Sequence, residues 1–251
     1  MRRFLWQIAV ILFWLLIWHL TAVAIDSQIL LVTPMRVLTR LGSLVGTAAF
    51  RTAVRNSLGR ILQGFTMAVF CGIFLAGLSQ KRFVYMLLDP VISLMKATPV
   101  ASITILILFW VPGPRLAVII SFMMVLPIIF YNVYEGMRSI DRKVMEMAEI
   151  FNVTLWKKHR FIIFPSLLPY LVSACSIGFG QAWKSGIAAE VIALPRDSIG
   201  INLYNAKVYL ENAELLAWTV VIVLLSFAME KAFILILNRL GFSERKKEGI
   251  G

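Results

Sequence analysis

Long runs of apolar residues dominate this chain and limit the folds open to it. Residues 4–25 form the first such run, interrupted only by Gln7, His19 and Thr21. As a helix, about 20 apolar residues cross the roughly 30 Å hydrocarbon core of a bilayer. A transmembrane β-barrel would instead show alternating strands of about ten residues. The length of the runs therefore predicts membrane-spanning helices.

The composition agrees with this prediction. Of the 251 residues, 60% are hydrophobic and 15% are charged, whereas soluble domains have about 45–50% apolar and about 25% charged residues. This balance excludes an ordinary cytosolic enzyme, a disordered chain and a disulfide-stapled secreted domain. We expect an all-α, polytopic membrane protein with about six transmembrane helices, forming one domain over residues 1–251.

Six spans can be placed along the chain, and we expect the first to be a retained helix rather than a signal peptide. The third is too long for one straight helix and contains Pro90, Lys96 and Pro99, which predicts a kinked pair of half-helices. Residues after Pro34 are expected to form a short amphipathic helix at the outer surface. The predicted spans are residues 4–25, 57–78, 83–111, 116–134, 166–186 and 215–237.

The net charge of +12 comes mostly from basic residues in short stretches between the apolar runs. Lys and Arg accumulate in the cytoplasmic loops of membrane proteins. Both termini and residues 135–160 are therefore expected in the cytoplasm of a bacterial inner membrane protein, and we do not expect a nucleic-acid partner. Five arginines between residues 36 and 60 oppose this topology, since they fall on the outer side.

A few polar residues lie inside or beside predicted spans and are candidates for a translocation path. A charged side chain deep in the membrane raises the free energy of insertion, so it tends to be paired or to face water. Lys184 and Glu190 either line a path, with Lys184 attracting an anionic solute, or form a structural ion pair that requires a helix break at Gly186. Lys96 either faces the pore or places its ammonium at the interface. Gln181 is the fourth candidate, through hydrogen bonds across helices.

Residues 135–160 are too polar to span the membrane, but they contain a helical pattern. Apolar residues recur at steps of three and four from Met145 to Leu155, through Ala148 and Phe151, which predicts a short amphipathic helix. Asn152 is expected to end it, since Asn adopts the left-handed conformation more readily than most residues. Periodicity alone leaves open whether the helix docks into a partner protein or lies on lipid headgroups.

The spacing of this loop resembles the EAA motif of ABC-importer permeases. That motif is Glu-Ala-Ala, three residues, Gly, nine residues, then Ile-x-Leu-Pro, and every spacing is matched here. Met147, Asn152 and Phe164 depart from the motif, where the family has Ala, Gly and Leu. The resemblance implies a coupling loop over residues 135–160 that docks an ATPase, with five residues in the matching positions: Glu146, Ala148, Asn152, Ile162 and Pro165.

Two further segments look like the nitrate/sulfonate/taurine-type branch of these permeases. They are residues 88–113, including Leu88-Asp89-Pro90, and residues 183–200, from Trp183 to Gly200. The resemblance implies a type I ABC importer permease fold and a homodimer. It also implies two ATP-binding subunits, which would hold ATP and Mg, and an extracytoplasmic solute-binding protein. The solute would be a small anion such as a sulfonate, taurine or nitrate, or else a vitamin precursor.

The sequence allows two other classes of function. A stand-alone secondary transporter is the alternative, but no internal repeat is visible. A membrane-embedded enzyme would need clustered His, Asp or Glu, and the chain has two His. The sequence contains no Walker lysine loop, zinc spacing or nucleophile elbow. We therefore expect no catalytic residues, no metal site and no cofactor in this chain.

Overall fold

A computed structural model describes residues 2–27 and 30–239, and within these ranges the chain is helical, without strands. Eleven α-helices follow one another in the described ranges, with a π-helical segment at His159–Ile163 between the eighth and the ninth. They are α1 Arg2–Ile25, α2 Pro34–Val45, α3 Ala48–Leu78, α4 Arg82–Ala97, α5 Val100–Leu108, α6 Gly113–Arg138, α7 Arg142–Ile150, α8 Leu155–Lys158, α9 Phe164–Ala193, α10 Ile199–Val208 and α11 Asn212–Arg239.

The long helices match the predicted all-α membrane fold. In the described ranges, five helices are long and apolar enough to cross a membrane, or six if α4 and α5 form one bent span. Several exceed the predicted bounds. Helix α3 begins at Ala48, where the Thr47 hydroxyl accepts a 3.1 Å hydrogen bond from the Phe50 amide. The sequence pattern missed this start because Arg51 and Arg55 interrupt the apolar run while remaining compatible with a helix.

The break between α4 and α5 confirms the predicted pair of half-helices and is sharper than a kink. The two helices meet at an angle of 101°. Thr98 and Pro99 adopt extended backbone, as expected for a proline and the residue before it. Pro90, predicted to interrupt the same span, lies inside α4 without ending it.

The centre of the fold is a three-helix layer in which α6 packs between α3 and α9. Small residues bring the backbones together. A Cβ on Gly64 would lie 2.3 Å from the Val118 carbonyl oxygen, and one on Gly72 would lie 2.8 Å from Ile129. The layer buries Ile61, Ile129, Phe130 and Trp183, and it holds the walls of the site described below.

Helices α1 and α2 lie at the periphery. Most described side chains of α1 are exposed, as expected for a helix surrounded by lipid. The predicted short helix after Pro34 is present as α2, which buries Val37 and rests on α11. Its Arg40 pairs with Glu214, and the hydrogen bond to that carboxylate raises the pKa of the Arg40 guanidinium.

Candidate functional site

Three adjoining cavities form a polar groove along α4, α6, α9 and α11. The first, about 470 Å³, is lined by Asp89, Ser93, Lys96, Ala97 and Tyr131. The second, about 340 Å³, shares Lys96 and Tyr131 with the first and reaches Gln181. The third, about 260 Å³, shares Gln181 with the second and adds Lys184 and Glu230. We call this feature the polar groove; its charged and amide residues are Asp89, Lys96, Asn132, Gln181, Lys184 and Glu230.

The polar groove brings together three of the four path residues predicted from the sequence. Gln181 lies between Lys96 and Lys184, since it lines the second and third cavities. Both lysines are exposed, and no carboxylate of the described residues lies within 4 Å of either ammonium. Lys96 Nζ instead lies over the Tyr131 ring, 5.7 Å from its centroid. The groove therefore presents two ammonium groups without an ion-pair partner, and each can attract the acidic group of a solute.

Glu190, the fourth predicted path residue, does not line the polar groove. Its side chain is fully buried, and Arg60 Nη1 lies 3.1 Å from its Oε1. The Ser57 hydroxyl donates a 2.6 Å hydrogen bond to Oε2, and the Gly200 amide donates one of 3.3 Å. The path interpretation of Glu190 therefore has no support in its surroundings.

The alternative of an ion pair between Lys184 and Glu190 does not occur in the structure, because α9 runs through Gly186 without a break. Six residues of continuous helix place the two side chains about 240° apart. A Cβ on Gly186 would lie 2.5 Å from Ile61, so this glycine serves the close approach of α3 rather than a bend.

Residues from four parts of the fold meet at Glu190. We call this group the Glu190 cluster, and its members are Ser57, Arg60, Glu190, Arg196, Ile199 and Gly200. Arg60 also donates to the Arg196 carbonyl at 3.5 Å, and the Ile199 amide donates to the Ser57 hydroxyl at 2.9 Å. The cluster fastens α3, the end of α9, the following loop and the start of α10. The cluster also explains one of the five arginines that oppose the predicted topology, since Arg60 neutralises a buried acid.

Sequence reasoning missed Asp89, Tyr131 and Glu230 as groove residues. Asp89 and Glu230 fall inside predicted spans, at 83–111 and 215–237, so the criterion that selected Lys184 would also have selected them. Tyr131 carries no comparable signal, because a tyrosine in an apolar run is ordinary. Its hydroxyl donates to Asp89 Oδ1 at 2.9 Å and lies 2.7 Å from Ser93 Oγ.

The predicted helix in the 135–160 loop is present as α7 and ends as expected. The Asp141 side chain caps its start by accepting a 2.8 Å hydrogen bond from the Lys143 amide. Asn152 has a φ of 48°, in the left-handed region. The Val153 amide then donates to the Ala148 carbonyl at 2.9 Å, which closes a Schellman-type turn.

The apolar stripe counted along α7 divides between two faces. Ala148 is buried and Met145 half-buried, so both face the protein. Phe151 and Leu155, at and after the C-terminal end of α7, are exposed instead. Exposed apolar side chains in this region are Val144, Met147, Ile150, Phe151, Leu155 and Trp156. Glu146 lies beside them and pairs with Arg142 at 2.9 Å.

The remaining motif residues link this surface to the membrane helices. Ile162 lies in the π-helical segment, and Pro165 follows it at the start of α9. Both are half-buried. The helical backbone continues from here to Gln181 and Lys184.

The comparison with protein families matches residues 68–240 to a family described as binding-protein-dependent transport system inner membrane component. The taurine transport system permease protein of Escherichia coli is 26% identical over 222 residues, covering 85% of this chain and 80% of that protein. A putative aliphatic sulfonates transport permease protein of Bacillus subtilis is 22% identical over 244 residues, covering 95% and 86%.

Two further similarities extend this result. A bicarbonate transport system permease protein of Synechococcus elongatus is 27% identical over 154 residues, covering 60% of this chain and 55% of that protein. A crystal structure of an amino acid ABC transporter with histidines matches with a TM-score of 0.60 and 15% identity, covering 76% of this chain and 92% of that one. At this identity the structural match shows a shared fold.

Proposed function

The chain belongs to the family of binding-protein-dependent transport system inner membrane components, and we propose that its polar groove is the translocation path for a small anion. As an ABC importer permease it acts in transport, and the relatives it resembles are permeases rather than enzymes. The main support for this proposal is that Lys96, Gln181 and Lys184 line one groove. Among the described residues, no carboxylate lies within 4 Å of either lysine ammonium.

Several features support an anion as the solute. An ammonium in an apolar layer is costly unless it meets water, a carboxylate or a solute. The relatives are described as permeases for taurine, aliphatic sulfonates and bicarbonate. A solute with an acidic group, such as a sulfonate, taurine, nitrate or bicarbonate, fits these observations. A second copy of the chain would complete the path, and an extracytoplasmic binding protein would deliver the solute.

The energy for transport would come from two cytoplasmic ATP-binding subunits that hold ATP and Mg. Their docking surface would be α7 and the turn after it, including Glu146, Ala148 and Asn152. The exposed Met147 and Ile150 support docking into an apolar groove of a partner. Ile162 and Pro165 would carry the motion of α7 into α9. The family's dependence on a binding protein favours this arrangement over a stand-alone secondary transporter.

The proposed path is tested by Lys184→Gln in the assembled complex, with Lys207→Gln on α10 as a matched control. Loss of one charge-assisted contact to an anion should lower ATP-driven uptake about tenfold, since such contacts contribute about 1.5–3 kcal/mol. The amount of assembled complex should not change. Unaltered uptake by Lys184→Gln would contradict the proposed path.

The proposed docking surface is tested by Glu146→Arg and Met147→Asp, with Lys207→Glu as the control. Both side chains are exposed, so the changes should leave membrane insertion intact while removing the ATPase from the purified complex. A full complement of ATPase on both variants would show that α7 is not the docking helix.

A further inference from the structure

Each lysine of the polar groove shares a cavity with a carboxylate that it does not neutralise. Lys184 and Glu230 line the third cavity, and Lys96 and Asp89 line the first. Neither pair lies within 4 Å, the limit that the described ion pairs satisfy. The groove therefore contains two sets of separated opposite charges.

This arrangement favours a solute that carries both signs of charge. A simple anion would be attracted by Lys96 and Lys184 but held less tightly, because the nearby carboxylates repel it. A simple cation would meet the opposite problem. A solute carrying both charges would be attracted by both members of a pair, provided that its charged groups are spaced to match.

Asp89 and Lys96 lie on one face of α4. They are seven residues apart, so their Cα atoms are about 10 Å apart along the helix axis. The Lys96 ammonium lies over the Tyr131 ring, and the hydroxyl of that tyrosine donates to Asp89 Oδ1. A short solute with an acidic group at one end and an ammonium at the other can therefore reach both side chains.

The carboxylates have free capacity to accept an ammonium. The Asp89 carboxylate interacts with the hydroxyls of Tyr131 and Tyr85, but its two oxygens offer about four lone-pair sites and so can still accept an ammonium. Glu230 is exposed and has no hydrogen-bond or ion-pair partner among the described side chains.

We propose that the polar groove selects a small zwitterion at two positions along its length. At one end Asp89 accepts the ammonium group while Lys96 holds the acidic group, and at the other end Glu230 and Lys184 act in the same way. This inference rests on the proposed function, because it assumes that the groove is the path. It goes further by naming the solute class and by making two acidic residues the specificity determinants.

Two probes that differ in one group test the proposal. Taurine carries a sulfonate and an ammonium, whereas isethionate has a hydroxyl in place of the ammonium. Binding of each is measured by calorimetry on the full-length chain, purified in the membrane assembly that it forms. We expect the wild type to bind taurine at least about tenfold more tightly than isethionate, as one charge-assisted hydrogen bond would produce.

The double variant Asp89→Asn, Glu230→Gln should lose this preference by weakening taurine binding while leaving isethionate binding unchanged or stronger. Lys184→Gln should weaken both probes. Glu135→Gln, an exposed acid of α6 outside the groove, is the matched control and should retain the preference.

Several results would overturn the proposal: equal binding of the two probes to the wild type, no binding of either, or an unchanged preference in the double variant. Equal weakening of both probes in the double variant, together with a lower melting temperature, would make the acids structural and would also overturn it. The proposed function is tested separately, by ATPase co-purification and by uptake in Lys184→Gln. The proposed function and this inference can therefore fail independently.

Discussion

Glu190 illustrates how a charged side chain is retained inside an apolar helix bundle. Its carboxylate is fully buried, but it accepts hydrogen bonds from Ser57, Arg60 and the Gly200 amide. The amide belongs to the first turn of α10, where the helix dipole favours a negative charge. The donors come from two distant parts of the chain, α3 and the start of α10, so the carboxylate at the end of α9 holds these elements together.

Removing the charge of Glu190 should therefore destabilise the protein. Breaking a buried ion pair costs about 3–5 kcal/mol, because the remaining partner is left unpaired. We expect Glu190→Gln and Arg60→Met each to lower the melting temperature clearly, and the double variant to recover part of the loss, in a thermal-unfolding double-mutant cycle. Arg142→Gln is the control, since its exposed pair with Glu146 should contribute about 0.3–0.5 kcal/mol. Strict additivity of the two changes would contradict the cluster.

Asn152 gives a second prediction for a single residue. Its φ of 48° suits Asn or Gly, but a β-branched residue there would be strained by about 1–2 kcal/mol. We expect Asn152→Val to speed amide exchange in α7 about tenfold and Asn152→Gly to leave it nearly unchanged. Equal exchange in Asn152→Val and Asn152→Gly would show that the turn tolerates any side chain.

At the scale of helices, the packing of α3 against α6 depends on where its glycines lie. Gly64 touches the backbone of α6, with no room for a Cβ, whereas Gly59 has no atom within 4 Å of such a Cβ. The same residue type therefore has opposite roles five positions apart. Close backbone approach is what small residues provide in membranes, where the hydrophobic effect does not drive helices together.

Alanine at these two positions should change stability in opposite directions. Gly64→Ala should destabilise the protein by about 1–3 kcal/mol through overpacking. Gly59→Ala should stabilise it by about 0.5–1 kcal/mol, because alanine loses less conformational entropy in a helix. Thermal unfolding of both variants measures this; a shift of the same sign in both would contradict the packing described here.

At the scale of the whole molecule, the arginines that oppose the charge bias fall into two groups. Arg40 and Arg60 pair with acids of α11 and α9, and so are neutralised in the fold. Arg36, Arg51 and Arg55 are exposed and have no ion pair among the described residues. The predicted basic C-terminal tail, with Arg245, Lys246 and Lys247, lies outside the described residues.

The cytoplasmic position of the 135–160 loop stays a prediction that labelling can decide. In a Cys71→Ser, Cys175→Ser background, Lys157→Cys should react with an impermeant thiol reagent only after the membrane is opened. Lys207→Cys, on exposed α10, should react in intact cells. Labelling of position 157 from outside would reverse the topology.

Several features could be predicted from local sequence. Apolar run length predicted the all-α membrane fold, because a bilayer of fixed thickness demands it. Backbone preferences of Pro and Asn predicted the break before Pro99 and the turn at Asn152. The spacing of the loop from Glu146 to Pro165 predicted the family, since a motif of fixed spacing can be recognised without tertiary information.

The partners of the charged residues were decided only by the tertiary structure. The sequence left open whether Glu190 pairs with Lys184, six residues away, or lines a path, but Glu190 pairs with Arg60, 130 positions away in the chain. Lys96 and Lys184 share a groove only because α6 and α9 pack closely and α4 ends beside them. Local sequence specifies which helices form, because backbone hydrogen bonds and side-chain preferences act over a few residues. Which charges meet depends on how distant helices pack, and that packing is a property of all their surfaces together.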